Sequence, residues 1–130
     1  MLTRYDHLRA ATGRLAAPPD EQRTYLNELF LPLAVDGDSS AYGCDELALQ
    51  FEDYFISVEY MLAEGELSSE QADALNSLND KLEALSGEQN ADFWRRDALQ
   101  SDARWADVRA LARTAVQSLP PKTEQPSANL

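Results

Sequence analysis

Residues 45–65, DELALQFEDYFISVEYMLAEG, decide the fold class. Leu47, Phe51, Tyr54, Phe55, Val58, Met61 and Leu62 recur at helical spacing. At ~100° per residue they occupy about a third of a helix circumference. The spacing predicts one long helix over 45–64, stopped by Gly65.

The same signature extends in both directions. Ser68 with Gln71 forms a capping-box pattern, and Leu75, Leu78, Leu82 and Leu85 follow as a seam that ends at Gly87. That seam is too short for an independent coiled coil, so it predicts core packing. NADFWRRDALQS predicts a shorter helix with Phe93, Trp94 and Leu99 inward. Asp102 is placed to cap a last helix that buries Trp105, Val108, Leu111, Ala112, Ala115 and Leu119. The tail PPKTEQPSANL is polar and proline-containing, so residues 120–130 are expected to be disordered.

Towards the N-terminus, VDGDSSAYGC (35–44) is turn chemistry. Tyr25, Leu26, Leu29, Phe30 and Leu33 make the stripe of a second helix, which Pro32 ends or kinks. Thr3 with Asp6 caps a first helix near 3–16 carrying Tyr5, Leu8, Ala11 and Leu15, with Gly13 weakening its last turn. LFLPLAV is the one strand candidate, and its proline demotes it. The expectation is an all-α fold: an irregular single-domain bundle of about six helices over 1–119.

A chain of 130 residues suits one core, and a 44% hydrophobic, 26% charged composition is globular rather than disordered. No apolar run approaches the ~20 residues of a membrane span. The N-terminus lacks a secretory layout, which makes a cytoplasmic protein the expectation. Cys44 is the single cysteine, so no internal disulfide forms.

The net charge of −12 is unevenly placed. Residues 36–92 hold fifteen acids against one base, Lys81, whereas the rest of the chain holds eight acids and ten bases. Such a middle repels nucleic acid and anionic membrane and attracts a basic protein surface. The competing account is solubility plus internal pairing with the arginine-bearing ends.

Catalytic equipment is sparse. His7 is the only histidine, and general-base work needs an oriented partner. Cys44 has Asp45 and Glu46 beside it, which oppose thiolate formation, so a buried thiol is the expectation. Counted from Asp36, an EF-hand loop would need Gly and Glu where Ala41 and Leu47 stand. Zincin, P-loop, dinucleotide-binding and zinc-finger spacings do not occur. In WRRDALQSDARWADVRALAR the arginines alternate with Asp97, Asp102 and Asp107, which weakens a nucleic-acid reading. The expectation is therefore no cofactor, no metal and no catalysis. A metal enzyme using Asp36, Asp38 and Glu46 stays as a minor alternative.

On the helix over 45–64, Asp45, Glu52 and Glu59 are seven residues apart and line up opposite the apolar stripe. Leu49, Ile56 and Tyr60 lie between this line and Asp53. A helix apolar almost all round is usually interior, which favours a second core seam for these three. Otherwise they are anchors in a protein-binding patch whose carboxylates steer a basic partner. Glu64, Glu66, Glu70 and Asp73 extend the acidic edge. The candidate partner-binding residues are Asp45, Glu52, Asp53, Glu59 and Glu66 for steering, with Ile56 and Tyr60 as anchors.

LNDKLEALSGEQNADFWRRDALQSDARWADVRALARTAV (78–116), with YLNELFLPLAVDGDS (25–39), resembles small helical immunity proteins of bacterial polymorphic-toxin and contact-dependent growth inhibition loci. The resemblance implies a cytoplasmic protein that binds and neutralises a toxin domain. It transfers no contact residues. The alternative from the residues alone is a helical adaptor or regulatory protein, homodimeric through its apolar seam.

Overall fold

The computed structural model describes residues 2–33 and 43–121, and every regular element among them is helical. The first helix, α1 (Arg4–Ala16), opens on the expected capping box. The Asp6 N–H donates to the Thr3 hydroxyl at 3.2 Å, and the Thr3 N–H donates to the Asp6 carboxylate at 2.9 Å. Gly13 does not shorten it, and a Cβ built there meets only Val116, at 3.9 Å. Helix α2 (Pro19–Phe30) starts with proline at its first position and runs into a 3₁₀ turn, Leu31–Leu33, that contains Pro32. Only Leu26 of its expected stripe is fully buried. Tyr25 and Phe30 are half-buried and Leu29 and Leu33 exposed, because no described element covers that side.

The long helix expected over 45–64 is two helices, α3 (Asp45–Phe55) and α4 (Val58–Ala63). At the junction the Ser57 N–H donates to Tyr54 O at 3.2 Å, a tightened turn, and the Met61 N–H donates to Ser57 O at 2.9 Å to begin the next helix. β-Branched Ile56 and Ser57 are weak helix formers at this point. The break keeps Val58 and Met61 buried but turns Leu62, expected inside, outward.

Gly65 ends α4 at φ +80°, where the Glu66 N–H reaches back to Met61 O at 2.8 Å. Helix α5 (Ser69–Ala84) then opens on the Ser68–Gln71 capping box, with bonds of 2.7 and 3.1 Å. Leu75, Leu78, Leu82 and Leu85 are buried as the seam requires.

The shorter helix expected from NADFWRRDALQS is instead a 3₁₀ stretch (Glu88–Trp94) and a single turn, α6 (Ala98–Ser101). Trp94 O accepts the Cys44 N–H at 3.0 Å, and Phe93 O accepts the Trp105 indole N–H at 2.9 Å. Those carbonyls face tertiary partners rather than a helix ladder. Phe93 and Leu99 are buried, and Trp94 is half-buried with its indole N–H donated to Leu85 O at 2.8 Å. Cys44 is buried against Phe93 and Arg95, and burial, with Asp45 adding, pushes its thiol up to about 12. The thiol is chemically inert at neutral pH.

Helix α7 (Ala103–Gln117) packs on α1 and α5, and α1 packs on α3, so α1 and α7 form the centre of the bundle. Trp105, Val108, Ala112, Ala115 and Leu119 are buried, while Leu111 is half-buried. Buried side chains from Tyr5 to Leu119 form one cluster. Arg109 sits inside it without a carboxylate. Its Nε donates to Gln22 Oε1 at 2.9 Å and its Nη2 to Leu99 O, while the Gln22 amide donates to Arg14 O and Leu15 O. The guanidinium ties α7 to α2 and α6, and Gln22 extends the network to α1; burial lowers the Arg109 pKa, with Arg113 adding. Of the tail expected to be disordered over 120–130, residues 122–130 lie outside the described residues, whereas Pro120 is held in place, its carbonyl accepting the Tyr5 hydroxyl at 2.6 Å.

Asp102 caps α7 through the Arg104 N–H at 2.9 Å. The Arg104 guanidinium, foremost, and that N–H hold the Asp102 carboxyl below its usual 3.8. An unfolded chain takes up this proton first as pH falls. The stability contributed is thus fully present above about pH 3.9 and is lost as pH falls through the lower folded value. Asp102→Asn keeps a cap but removes the titration. Its melting temperature is expected to lie below wild type at neutral pH and to converge with it in acid. A gap that persists at low pH contradicts the assignment.

Candidate acidic docking face

The mixed face of α3 and α4 is uncovered. Ile56 is 82% exposed, Tyr60 55% and Leu49 47%, so these residues are not a second core seam. Core packing uses Phe51, Val58 and Met61, and among the described residues the outward side is bordered only by Arg4 of α1 at Tyr60 and by α5 at the α3–α4 junction. Asp45, Glu52, Asp53 and Glu59 are exposed around them.

Internal pairing neutralises little of this charge. Among the described acids of 43–92, Glu66 pairs with Arg4 and Asp92 with Arg104, at 3.0 Å for the latter. Lys81, the one base of the segment, lies 3.8 Å from Asp107 on α7. Among the described residues Asp45, Glu52, Asp53, Glu59, Glu64, Glu70 and Asp73 make no ion pair. Among the described residues several arginines serve neutral acceptors instead: Arg9 the Leu119 carbonyl, Arg14 the Gln50 amide and Arg109 the Gln22 amide.

The structure divides the sequence-predicted site residues into two places. Glu52, Ile56 and Glu59 meet across the α3–α4 junction. With Phe55 and Val58, and with Asn76, Asn79 and Glu83 of α5, they line a groove of about 490 Å³. Tyr60 and Glu66 lie instead around Arg4. The Arg4 guanidinium is 4.6 Å from the Tyr60 ring centroid, and its Nε donates to Glu66 Oε1 at 3.0 Å. Glu66 is thereby engaged within the molecule, which raises the Arg4 pKa. Asp45 and Asp53 are exposed outside the groove lining.

Asn76, Asn79 and Glu83 are the residues that the sequence reading missed. Their signal is the polar flank of the leucine seam: 76, 79 and 83 repeat at helical spacing beside 75, 78 and 82. Asn79 donates to Glu83 at 3.2 Å, one turn apart on the same flank.

Other features offer less chemistry. His7 stacks on Tyr54 with ring centroids 5.0 Å apart, an interhelical contact between α1 and α3. Among the described residues no group of three His, Cys, Asp or Glu side chains is placed to hold a metal. Asp36 and Asp38, named in the metal alternative, lie outside the described residues. Among the described residues no helix is long and apolar enough to cross a membrane.

Arg4 offers a test of the face's electrostatics. Arg4→Ala removes a cation opposite Glu66 and Tyr60 without opening the core, since Arg4 is half-exposed. Stability is expected to stay close to wild type, because exposed pairs contribute little. Association with a cationic protein is expected to accelerate as the local field becomes more negative. Stopped-flow mixing checks this, and a slower rate contradicts it. The chain matches no family model, no curated protein and no solved structure.

Proposed function

We propose that this chain is an immunity-type protein that binds and neutralises a basic bacterial toxin domain in the cytoplasm, using the acidic face of α3 and α4. The observation that supports the reading is a juxtaposition. Among the described residues Glu52, Asp53 and Glu59 are exposed without ion pairs beside the exposed Ile56, while Tyr60 is exposed with Arg4 against its ring. Nucleic-acid-acting toxins carry basic clefts that bind phosphates. An acidic face with apolar anchors occupies such a cleft or its rim, and long-range attraction speeds the encounter. The role needs binding alone, so no cofactor or catalytic residue is assigned.

Self-association through the same face, as a homodimeric adaptor, is disfavoured by charge. A two-fold interface sets each patch against its own copy, so Glu52, Asp53 and Glu59 would oppose like charges. Light scattering across salt concentrations is expected to return a monomer.

The test looks beside this gene for a large gene ending in a basic C-terminal domain, the neighbour that the reading expects, and co-expresses that domain with this chain. Wild type is expected to restore growth, and Glu52→Lys/Glu59→Lys is expected to lose protection while remaining folded. Failure of wild type to protect against that domain overturns the reading.

A further inference from the structure

Resting on that docking reading, we propose that the groove between α3–α4 and α5 is a pocket for one arginine side chain of the cationic partner, chosen over lysine. Its polar rim comes from three helices: Glu52 on α3, Glu59 on α4 and Glu83 on α5, with the Asn79 amide beside Glu83. Among the described residues no basic side chain lines it. Phe55 and Val58 supply an apolar wall. The occupant must therefore be cationic at its head and apolar along its stem.

Arginine meets this demand better than lysine. Its planar fork presents five donors, enough for several acceptors at once, and it stacks on aromatic faces. Lysine brings a compact ammonium with a stronger hydration shell. Carboxylates spread over three helices suit a fork rather than a point charge.

The molecule already contains a filled version of the arrangement. At Arg4, an aromatic ring and a carboxylate hold a guanidinium within the same chain, Tyr60 beneath and Glu66 beside. In the groove, Phe55 takes the place of the ring and Glu52, Glu59 and Glu83 the place of the carboxylate, with no arginine of this chain among the lining residues. Charge disfavours pairing of this face with the same face of a second copy, which is equally acidic.

The test titrates the full ¹⁵N-labelled chain with N-acetyl-arginine amide and, in parallel, with N-acetyl-lysine amide. Saturable shifts are expected at Phe55, Ile56, Val58, Asn76, Asn79 and Glu83, at lower concentration for the arginine probe. Glu83→Gln is expected to weaken the arginine probe about two- to fivefold, leaving shifts elsewhere unchanged. Glu70→Gln, the same charge change at an exposed acid outside the groove, is expected to change nothing. Equal response to both probes, shifts spread over all the acids, or equal effects of the two variants overturn the proposal. If the probes fail while Glu52→Lys/Glu59→Lys still abolishes protection, the pocket is wrong and the docking face stands. If the arginine probe binds but wild type never protects, the pocket stands and the toxin reading falls.

Discussion

Trp105→Ala is expected to destabilise the fold by about 3–5 kcal/mol, the range for removing a fully buried large aromatic. Trp105 is 0% exposed. It stacks on Phe93 with centroids 4.6 Å apart and meets Trp94 edge-on at 6.0 Å. Its truncation opens a cavity where α7, the 3₁₀ stretch and the 43–44 strap converge. It also strips Phe93 O of the indole N–H that donates to it at 2.9 Å. The Cys44 thiol, 3.7 Å away, is then the one weak donor left to that buried carbonyl among the described residues, and loss of the stronger bond adds up to about 1–3 kcal/mol. Against the ~5–15 kcal/mol of a typical domain, that loss leaves little reserve. Trp105→Phe retains much of the ring but not the N–H, so it is expected to cost less than alanine and still be destabilising. Urea unfolding followed by far-ultraviolet circular dichroism checks both, and the fluorescence of the remaining Trp94 supplies a second signal. A loss below about 1 kcal/mol for the alanine variant contradicts this account of the core.

Glu52→Lys/Glu59→Lys is expected to slow association with the basic toxin domain at least about tenfold at low salt, because steering by opposed fields changes on-rates by 10–10³. Both side chains are exposed on the groove rim, so the substitutions disturb no buried group. The expected signature lies in the on-rate and its salt dependence more than in the off-rate. Wild-type rates fall steeply as salt rises and shortens the Debye length, and the variant's rates change less. Equal salt slopes contradict the assignment.

Local rules made most of the helices legible. The Thr3–Asp6 and Ser68–Gln71 boxes, the Asp102 cap, and Gly65 and Gly87 at positive φ all act within one turn of the chain. Their chemistry does not wait for tertiary contacts. The leucine seam and the Trp105–Leu119 stripe were legible for the same reason: a helix of any context must put them on one side. The break at Ile56–Ser57 was not legible, because its apolar spacing on either side is that of an unbroken helix. Beyond the break Val58 and Met61 are buried and α4 packs on α5, contacts between segments that the spacing does not reveal. The 88–94 segment is 3₁₀ rather than α-helical, and at its end Phe93 O and Trp94 O bond to Trp105 and Cys44, partners distant in sequence.

The candidate face was legible as chemistry and not as geometry. Glu52, Ile56 and Glu59 could be grouped by their spacing, but whether Ile56 faces a core or solvent depends on what packs beside it. Glu83 stood thirty-one positions from Glu52, on another helix, and only the fold brings them to one groove. Glu66 reads from sequence as one more exposed acid, whereas Arg4 engages it from sixty-two residues away. The arginines were equally opaque: nothing local to Arg9 or Arg109 announces that a carbonyl and an amide, rather than a carboxylate, receive them.

The most direct measurement compares two charge-matched variants for association with the basic toxin domain by stopped flow. Glu52→Lys/Glu59→Lys and Glu21→Lys/Glu28→Lys change the net charge equally, and the second pair is exposed on α2, away from the groove. A localised docking face on α3 and α4 predicts a large loss of rate for the first pair and a small one for the second. Equal losses would mean that total charge alone governs the encounter, and the face would have no special standing.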